Sequence, residues 1–311
     1  MSIRDVILAA ILLSSTCVAS AKADVPNVAT DIAPVHSLVA QVMEGLGAPG
    51  QVVRPGASPH GYAMRPSEAR ILQEADVVFW IGPQLTPWLG GAIANLAPQA
   101  PVTALLDARG TTLLEFRTGV QFAADDHEHE HESGRGDQES AQYDPHAWLD
   151  PQNASVWLGV IADELGRIDP ENAETYAANA KASQLRIAAA EAEIGEILAP
   201  AKALQFVVFH DAYHYFESRF GLSAAAAIAA GDASDPGPAR IEEVRQTMHD
   251  LNVACVFSEP EFNPAFVATV IEGTSAKAGL IDPLGAGIEA GPGFYSALLR
   301  SVADELVKCV D

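Results

Sequence analysis

The feature that most constrains this chain is a long run of helix-forming sequence near its middle. Asp169-Pro170-Glu171-Asn172 is a helix start, an N-cap Asp with Pro at the first helical position. No Gly or Pro follows until Gly195, and Pro200 closes the segment. Tyr176, Ala180, Ser183, Ile187, Ala190, Ile194 and Ile197 recur at alternating spacings of four and three, which draws one narrow buried stripe on an otherwise polar helix. From Asn172 to Ala199 such a helix runs about 42 Å, at about 1.5 Å per residue. A coiled coil is the other use of a stripe like this, but this one is Ala-rich and isolated. The stretch therefore reads as a rigid connector. It divides the chain into an N-terminal domain over 24–168, a connecting helix over 169–199 and a C-terminal domain over 200–311.

Both flanks carry the same alternation. In the first, strands are predicted at Asn27–Ile32, Gln51–Val53, Asp76–Ile81 and Val102–Leu106. Helices are predicted at Val35–Leu46, Pro66–Glu74, Trp88–Leu96 and from Pro151 to Gly166. In the second, strands are predicted at Leu204–Phe209, Ser223–Ala230, Val253–Phe257 and Gly279–Ile281. The matching helices are Ala212–Phe220, Ala239–Leu251, Pro264–Ala278 and Gly293–Val310. Short apolar runs alternating with amphipathic segments mark a parallel sheet covered by helices. The expected fold class is α/β, two similar domains of this kind joined by one long helix. Only 117–142 breaks the periodicity, and it reads as a long polar loop.

The first 23 residues read as a cleaved export signal. Arg4 precedes the apolar run Val6–Leu13, too short to span a membrane, and Ala21-Lys22-Ala23 is an A-x-A cleavage pattern, although Asp5 weakens the positive end. A first buried helix is the other reading. Cleavage leaves 16 basic and 40 acidic residues, a net charge of −24. A chain this acidic makes a poor partner for nucleic acid or an anionic membrane and a natural one for a cation. Cys17 leaves with the signal, so the mature chain keeps Cys255 and Cys309. An even pair in an oxidising compartment suggests a disulfide, with two buried free thiols as the alternative.

The chemistry lies in the nine His. His36 and His249 sit within predicted helices. His127, His129 and His131 alternate with carboxylates in Asp126–Glu132, inside the polar loop. His60, His146 and His210 each lie near the end of a predicted strand or loop, where parallel sheets bind ligands. Three imidazoles with an oxygen donor satisfy tetrahedral zinc. Taken singly each is more often structural, and spacing alone leaves the choice even.

The segments "GASPHGYAMRPSEARILQEADVVFWIGPQLTPWL", "DPHAWLDPQNA", "FVVFHDAYHYFESRFGL", "CVFSEPEFNP" and "LIDPLGAGI", with an acidic His-rich loop between the first two, resemble the ZnuA family. Its members are the periplasmic zinc-binding components of bacterial high-affinity zinc ABC importers. The resemblance covers essentially the whole mature chain, in the family's order. It implies a monomeric zinc carrier that serves a transmembrane permease, with Zn2+ as transported ligand held between two domains. The implied ligands are His60, His146 and His210, with Asp282 as a fourth. Some zinc members use a Glu immediately before the first His, but Pro59 stands there. The resemblance also implies pairing of Cys255 with Cys309, and a loop whose His127, His129 and His131 gather further zinc weakly.

A nitrogen-rich donor set independently favours zinc over magnesium, calcium or manganese. The competing readings are a zinc peptidase and a periplasmic metal buffer without a transporter. The peptidase would use His210-Asp211-Ala212-Tyr213-His214, which resembles H-E-x-x-H but puts a shorter Asp where the general base belongs.

Overall fold

A computed structural model describes residues 25–117, 122, 143–229 and 235–310. The signal-peptide reading of 1–23 and the three His of the polar loop lie outside the described residues.

Two four-stranded, wholly parallel sheets form the frame. The first contains β1 (Val28–Thr30), β2 (Gly50–Gln51), β3 (Val77–Trp80) and β4 (Val102–Ala104), in the order β2-β1-β3-β4. The second contains β5 (Phe206–Val208), β6 (Ala226–Ala227), β7 (Cys255–Ser258) and β8 (Lys277–Leu280). Its order is β6-β5-β7-β8, the same arrangement. Helices cover both faces of each sheet, so the strands are apolar on both sides. In β3, Val77 and Phe79 face the central core while Val78 and Trp80 face an outer cluster. In β5, Phe206 and Val208 face inward and Val207 outward.

The first sheet is flanked by α1 (Ala33–Val42), α2 (Pro66–Gln73), α3 (Pro87–Leu96) and α4 (Pro151–Ile168). The second has α6 (His214–Phe220), α7 (Pro238–Leu251), α8 (Ala265–Ile271) and α9 (Phe294–Val307). Between them runs α5 (Ala173–Ile197), 25 residues entered and left through 3-10 turns at Pro170–Asn172 and Ala199–Ala201. Its buried residues are Tyr176, Ala180, Ser183, Ile187, Ala190 and Ile194. It lies along α4 and also touches α1 and α9, so one stripe packs against helices of both halves. Ser183 sits in that stripe because its hydroxyl donates back to the Asn179 carbonyl, 2.8 Å away.

Several elements differ from their sequence reading at their ends. α1 spans Ala33–Val42 where the sequence predicts Val35–Leu46, and β4 stops at Ala104 instead of Leu106. The helix after Pro264 stops at Ile271 instead of reaching Ala278. Gly273 takes a left-handed φ of 77°, which turns the chain so that Lys277–Leu280 pairs beside β7. The helix predicted from Ala212 begins at His214. The strand predicted over Ser223–Ala230 is regular only at Ala226 and Ala227, although the N–H groups of Ala225, Ile228 and Ala229 also bond to the carbonyls of Phe206, Val208 and Phe209.

One buried cluster runs from Val28 and Phe79 through Trp157, Tyr176 and Ile187 to Phe206, Tyr295 and Leu306, and so passes through both halves. Buried hydrogen bonds cross the same boundary. Trp148 Nε1 donates to the Pro283 carbonyl at 2.8 Å, and Tyr295 OH to the Trp148 carbonyl at 2.7 Å. Tyr215 OH donates to the Asp144 carbonyl at 2.9 Å and accepts from the Leu114 N–H. Cys255 in β7 is joined to Cys309, just beyond α9, with their Cα atoms 6.1 Å apart. Among the described residues no helix is long and apolar enough to cross a membrane.

Candidate metal centre

His60 lies on the loop between β2 and α2. That loop is fixed from two sides. Trp88 Nε1 donates to the Pro59 carbonyl at 2.8 Å, and Glu68 accepts from Tyr62 OH and from the Arg65 N–H, both at 2.6 Å. His146 ends the long connection before the 3-10 turn at Ala147–Leu149, and Asp150 caps α4 immediately after. His210 follows β5 directly, and the chain bends before α6 starts.

These three segments converge in the cleft between the sheets. The ring centroids of His60 and His146 are 5.5 Å apart, those of His146 and His210 5.2 Å, and those of His60 and His210 6.1 Å. One nitrogen from each lies within 4.8 Å of the other two. His146 and His210 are buried, at 1% and 3% exposure, and His60 is half-buried. The space they enclose is about 10 Å³, room for a single water-sized sphere and so for an ion and not an organic molecule. Trp148 packs on His146 and Phe262 on His210, so the centre has an apolar wall.

Two of the rings are held from behind. His146 Nδ1 lies 2.7 Å from Asp144 Oδ1, which also accepts the His146 backbone N–H at 2.9 Å. His210 Nδ1 lies 2.7 Å from Glu259 Oε1. A neutral ring in this setting donates Nδ1–H to the carboxylate and keeps the lone pair of Nε2 for a metal. His146 Nε2 is accordingly buried with no hydrogen-bond partner among the described residues. Such an orphan acceptor in a dry site is costly unless a cation completes it. The donor chemistry, the spacing and the cavity size fit a tetrahedral divalent ion of the zinc type.

Asp282, like Glu261, is not in the group of donors that lie within 4.8 Å of one another. Its Oδ1 accepts the N–H groups of Leu284 and Gly285, each at 2.8 Å, and its Oδ2 that of Ala286 at 2.6 Å. The carboxylate therefore shapes the turn beneath the cleft. Gly285 in that turn has φ 66°, and a Cβ there would meet the Phe294 ring at 2.7 Å. Glu261 lines the cavity. Burial, and then the nearby Asp282 and Glu259 carboxylates, push its carboxyl up to about 7.

His214 is also outside the group. The peptidase reading needs two His one turn apart on a helix, but α6 begins at His214 and His210 lies in the bend before it. Asp144 and Glu259 escaped the sequence reading. Asp144 stands two residues before His146. Glu259 follows β7 directly, the same strand-end position that singled out His210.

Two parallel α/β lobes, one long helix and three imidazoles in the cleft define a solute-binding protein whose solute is a metal ion. The fold matches a crystal structure of ZnuA with a TM-score of 0.75 at 24% identity, over 93% of this chain and 100% of that one. It matches the periplasmic zinc binding protein TroA from Treponema pallidum equally, at 20% identity over 92% and 99%. The chain belongs to the ZnuA family: the family model described as zinc-uptake complex component A, periplasmic, matches residues 28–309. The high-affinity zinc uptake system protein ZnuA of Paracoccus denitrificans is 42% identical over 320 residues, 98% of each chain. That of Brucella abortus strain 2308 is 40% identical over 330 residues, 99% of each.

Proposed function

We propose that this protein captures Zn2+ in the periplasm, holds it through His60, His146 and His210, and delivers it to the transmembrane permease of an ABC importer. The observation that carries this reading is the convergence of three imidazoles, two of them backed by carboxylates, on a space with room for a single water-sized sphere. Family membership supports the periplasmic setting and the zinc cargo. The protein acts as a monomer, and residues 1–23 serve as its export signal. The helix that a peptidase of this kind would need to carry both His does not include His210.

The His-rich loop is a second, weaker collecting site in this reading, with His127, His129 and His131 as ligands. Its described ends both lie beside the centre. Arg117 pairs with Asp211, the neighbour of His210, and with Glu217, while Tyr143 leads directly to Asp144 and His146. A site assembled from a long loop carries an ordering cost on closing that a preformed site does not.

The test is a competition titration of the mature protein with zinc, beside variants His210→Ala and a deletion of 125–137. One tight event should vanish in His210→Ala and survive the deletion, while weaker events disappear with the loop. A tight event that persists in His210→Ala would overturn the ligand set. Growth of a deletion strain on limiting zinc separates an importer component from a passive buffer, which would leave growth unchanged.

A further inference from the structure

The three imidazoles leave one coordination position to fill, and four carboxylates stand near it: Asp144, Glu259, Glu261 and Asp282. Three are excluded by what they already hold. Asp144 and Glu259 grip the Nδ1 edges of His146 and His210. The two nitrogens of an imidazole point in diverging directions, so a carboxylate on Nδ1 lies behind the ring and away from an ion on Nε2. Asp282 spends both oxygens on three backbone N–H groups of its own turn. Moving it to the ion would leave those donors unsatisfied beneath the cleft.

Glu261 is less committed. Like Asp282 it lies outside the group of donors within 4.8 Å of one another, and it accepts a bond from its own backbone N–H. But it holds neither an imidazole nor a turn, so a side-chain rotation would bring it to the ion. It lines the cavity together with the three His, and its Oε1 is buried with no hydrogen-bond partner among the described residues. It is close enough to His210 for the two to interact electrostatically. A buried carboxylate oxygen without a donor is a costly arrangement that a cation beside it would relieve. It sits two residues beyond Glu259 on the segment that leaves β7, so one strand end supplies both the support of His210 and a second carboxylate at the cavity.

We propose that the Glu261 carboxylate, and not Asp282, supplies the fourth, oxygen donor to the metal held by His60, His146 and His210. The proposal rests on the zinc-binding reading above and specifies its coordination.

The experiment compares wild type, Glu261→Gln and Asp282→Asn in two measurements, zinc affinity by competition with a chromophoric chelator and the visible spectrum of the Co2+-loaded protein. Thermal melts of the metal-free forms check that each variant is folded. Glu261→Gln should melt like wild type, bind zinc at least about tenfold more weakly, as loss of even an outer partner does, and alter the Co2+ bands. Asp282→Asn should act on the melting temperature and leave the Co2+ bands as in wild type. Wild-type affinity and spectrum in Glu261→Gln would overturn the proposal, whether the position then belongs to Asp282 or to water. That outcome leaves the zinc-binding reading intact, whereas absence of tight zinc binding in wild type would remove that reading itself.

Discussion

At the scale of single residues, the candidate site is two layers deep. Two of the imidazoles, His146 and His210, are backed on Nδ1 by carboxylates that face away from the space between the rings. Glu259 orients His210 through Nδ1, and removing its charge should loosen the ring and lower its basicity. Glu259→Gln, which keeps size and shape, should weaken zinc binding by about 10–100-fold, while His214→Ala should bind as wild type. A competition titration checks both, and equal losses in the two variants would count against the assignment. A second residue makes a statement about pH. Asp31 is fully buried, and its oxygens accept the N–H groups of Ile32 and Ile81, both at 2.8 Å. Burial outweighs these bonds and raises its carboxyl from 3.8 to about 7. The folded state therefore holds this proton more tightly than the unfolded chain does. The stability Asp31 contributes is complete below about pH 4 and declines as pH rises towards 7. The stability of wild type relative to Asp31→Asn should accordingly fall between pH 4 and 7, by up to about 1.4 kcal/mol per pH unit. Urea unfolding of both proteins across that range measures it, and a difference that is flat with pH would refute the shift. The three His were legible in the sequence because parallel strands deliver ligands at their carboxyl ends. Their supports were harder to read, since an Asp or Glu in a polar turn looks the same whether it faces water or an imidazole.

At the scale of elements, local pattern served best where an element is long and its buried face narrow. The stripe on α5 shows this, because each of its positions is set by helical spacing alone. It served worst at ends. Ala265 to Ala278 keeps a helical pattern but is poor in strong helix formers, with Val267, Thr269, Val270, Ile271 and Gly273. The chain leaves the helix at Ile271 so that Lys277–Leu280 gains a full ladder beside β7. The disulfide belongs to this scale as well, since it ties β7 to the end of α9 across 54 residues. Closing a loop of that length corresponds to about 4 kcal/mol in chain-entropy terms. The double variant Cys255→Ser, Cys309→Ser should lose stability of that order in denaturant melts, and the unfolded, non-reduced mature protein, without Cys17, should titrate no free thiols. Two free thiols would refute the bond.

At the scale of the whole molecule, the lobes do not meet across a wet, open boundary. They share a continuous apolar core, the backbone of α5, and buried hydrogen bonds through Trp148, Tyr215 and Tyr295. Arg219 adds a two-pronged ion pair to Asp150 at the cap of α4, both contacts at 2.8 Å. Relative domain motion is the usual expectation for a small polar interface, and a large apolar one removes it. Zinc capture should therefore proceed by local adjustment of the His60 loop and the Glu261 segment, with little closure of one lobe on the other. Small-angle scattering of metal-free and zinc-loaded protein should superimpose, and a measurable contraction on loading would contradict this picture. What the sequence determined by itself was the α/β alternation in two halves, the long connector with its stripe, and the family with its three His. Side-chain periodicity and short motifs are local properties, written into a few neighbouring residues. Only the tertiary structure decided that Asp144 and Glu259 stand behind the rings, that Asp282 turns to its own backbone, and that Glu261 borders the cavity. Those outcomes depend on loops meeting from segments far apart in the chain. Which carboxylate finds an N–H, an imidazole or an empty position is settled by that meeting and by the cost of leaving a buried polar group without a partner.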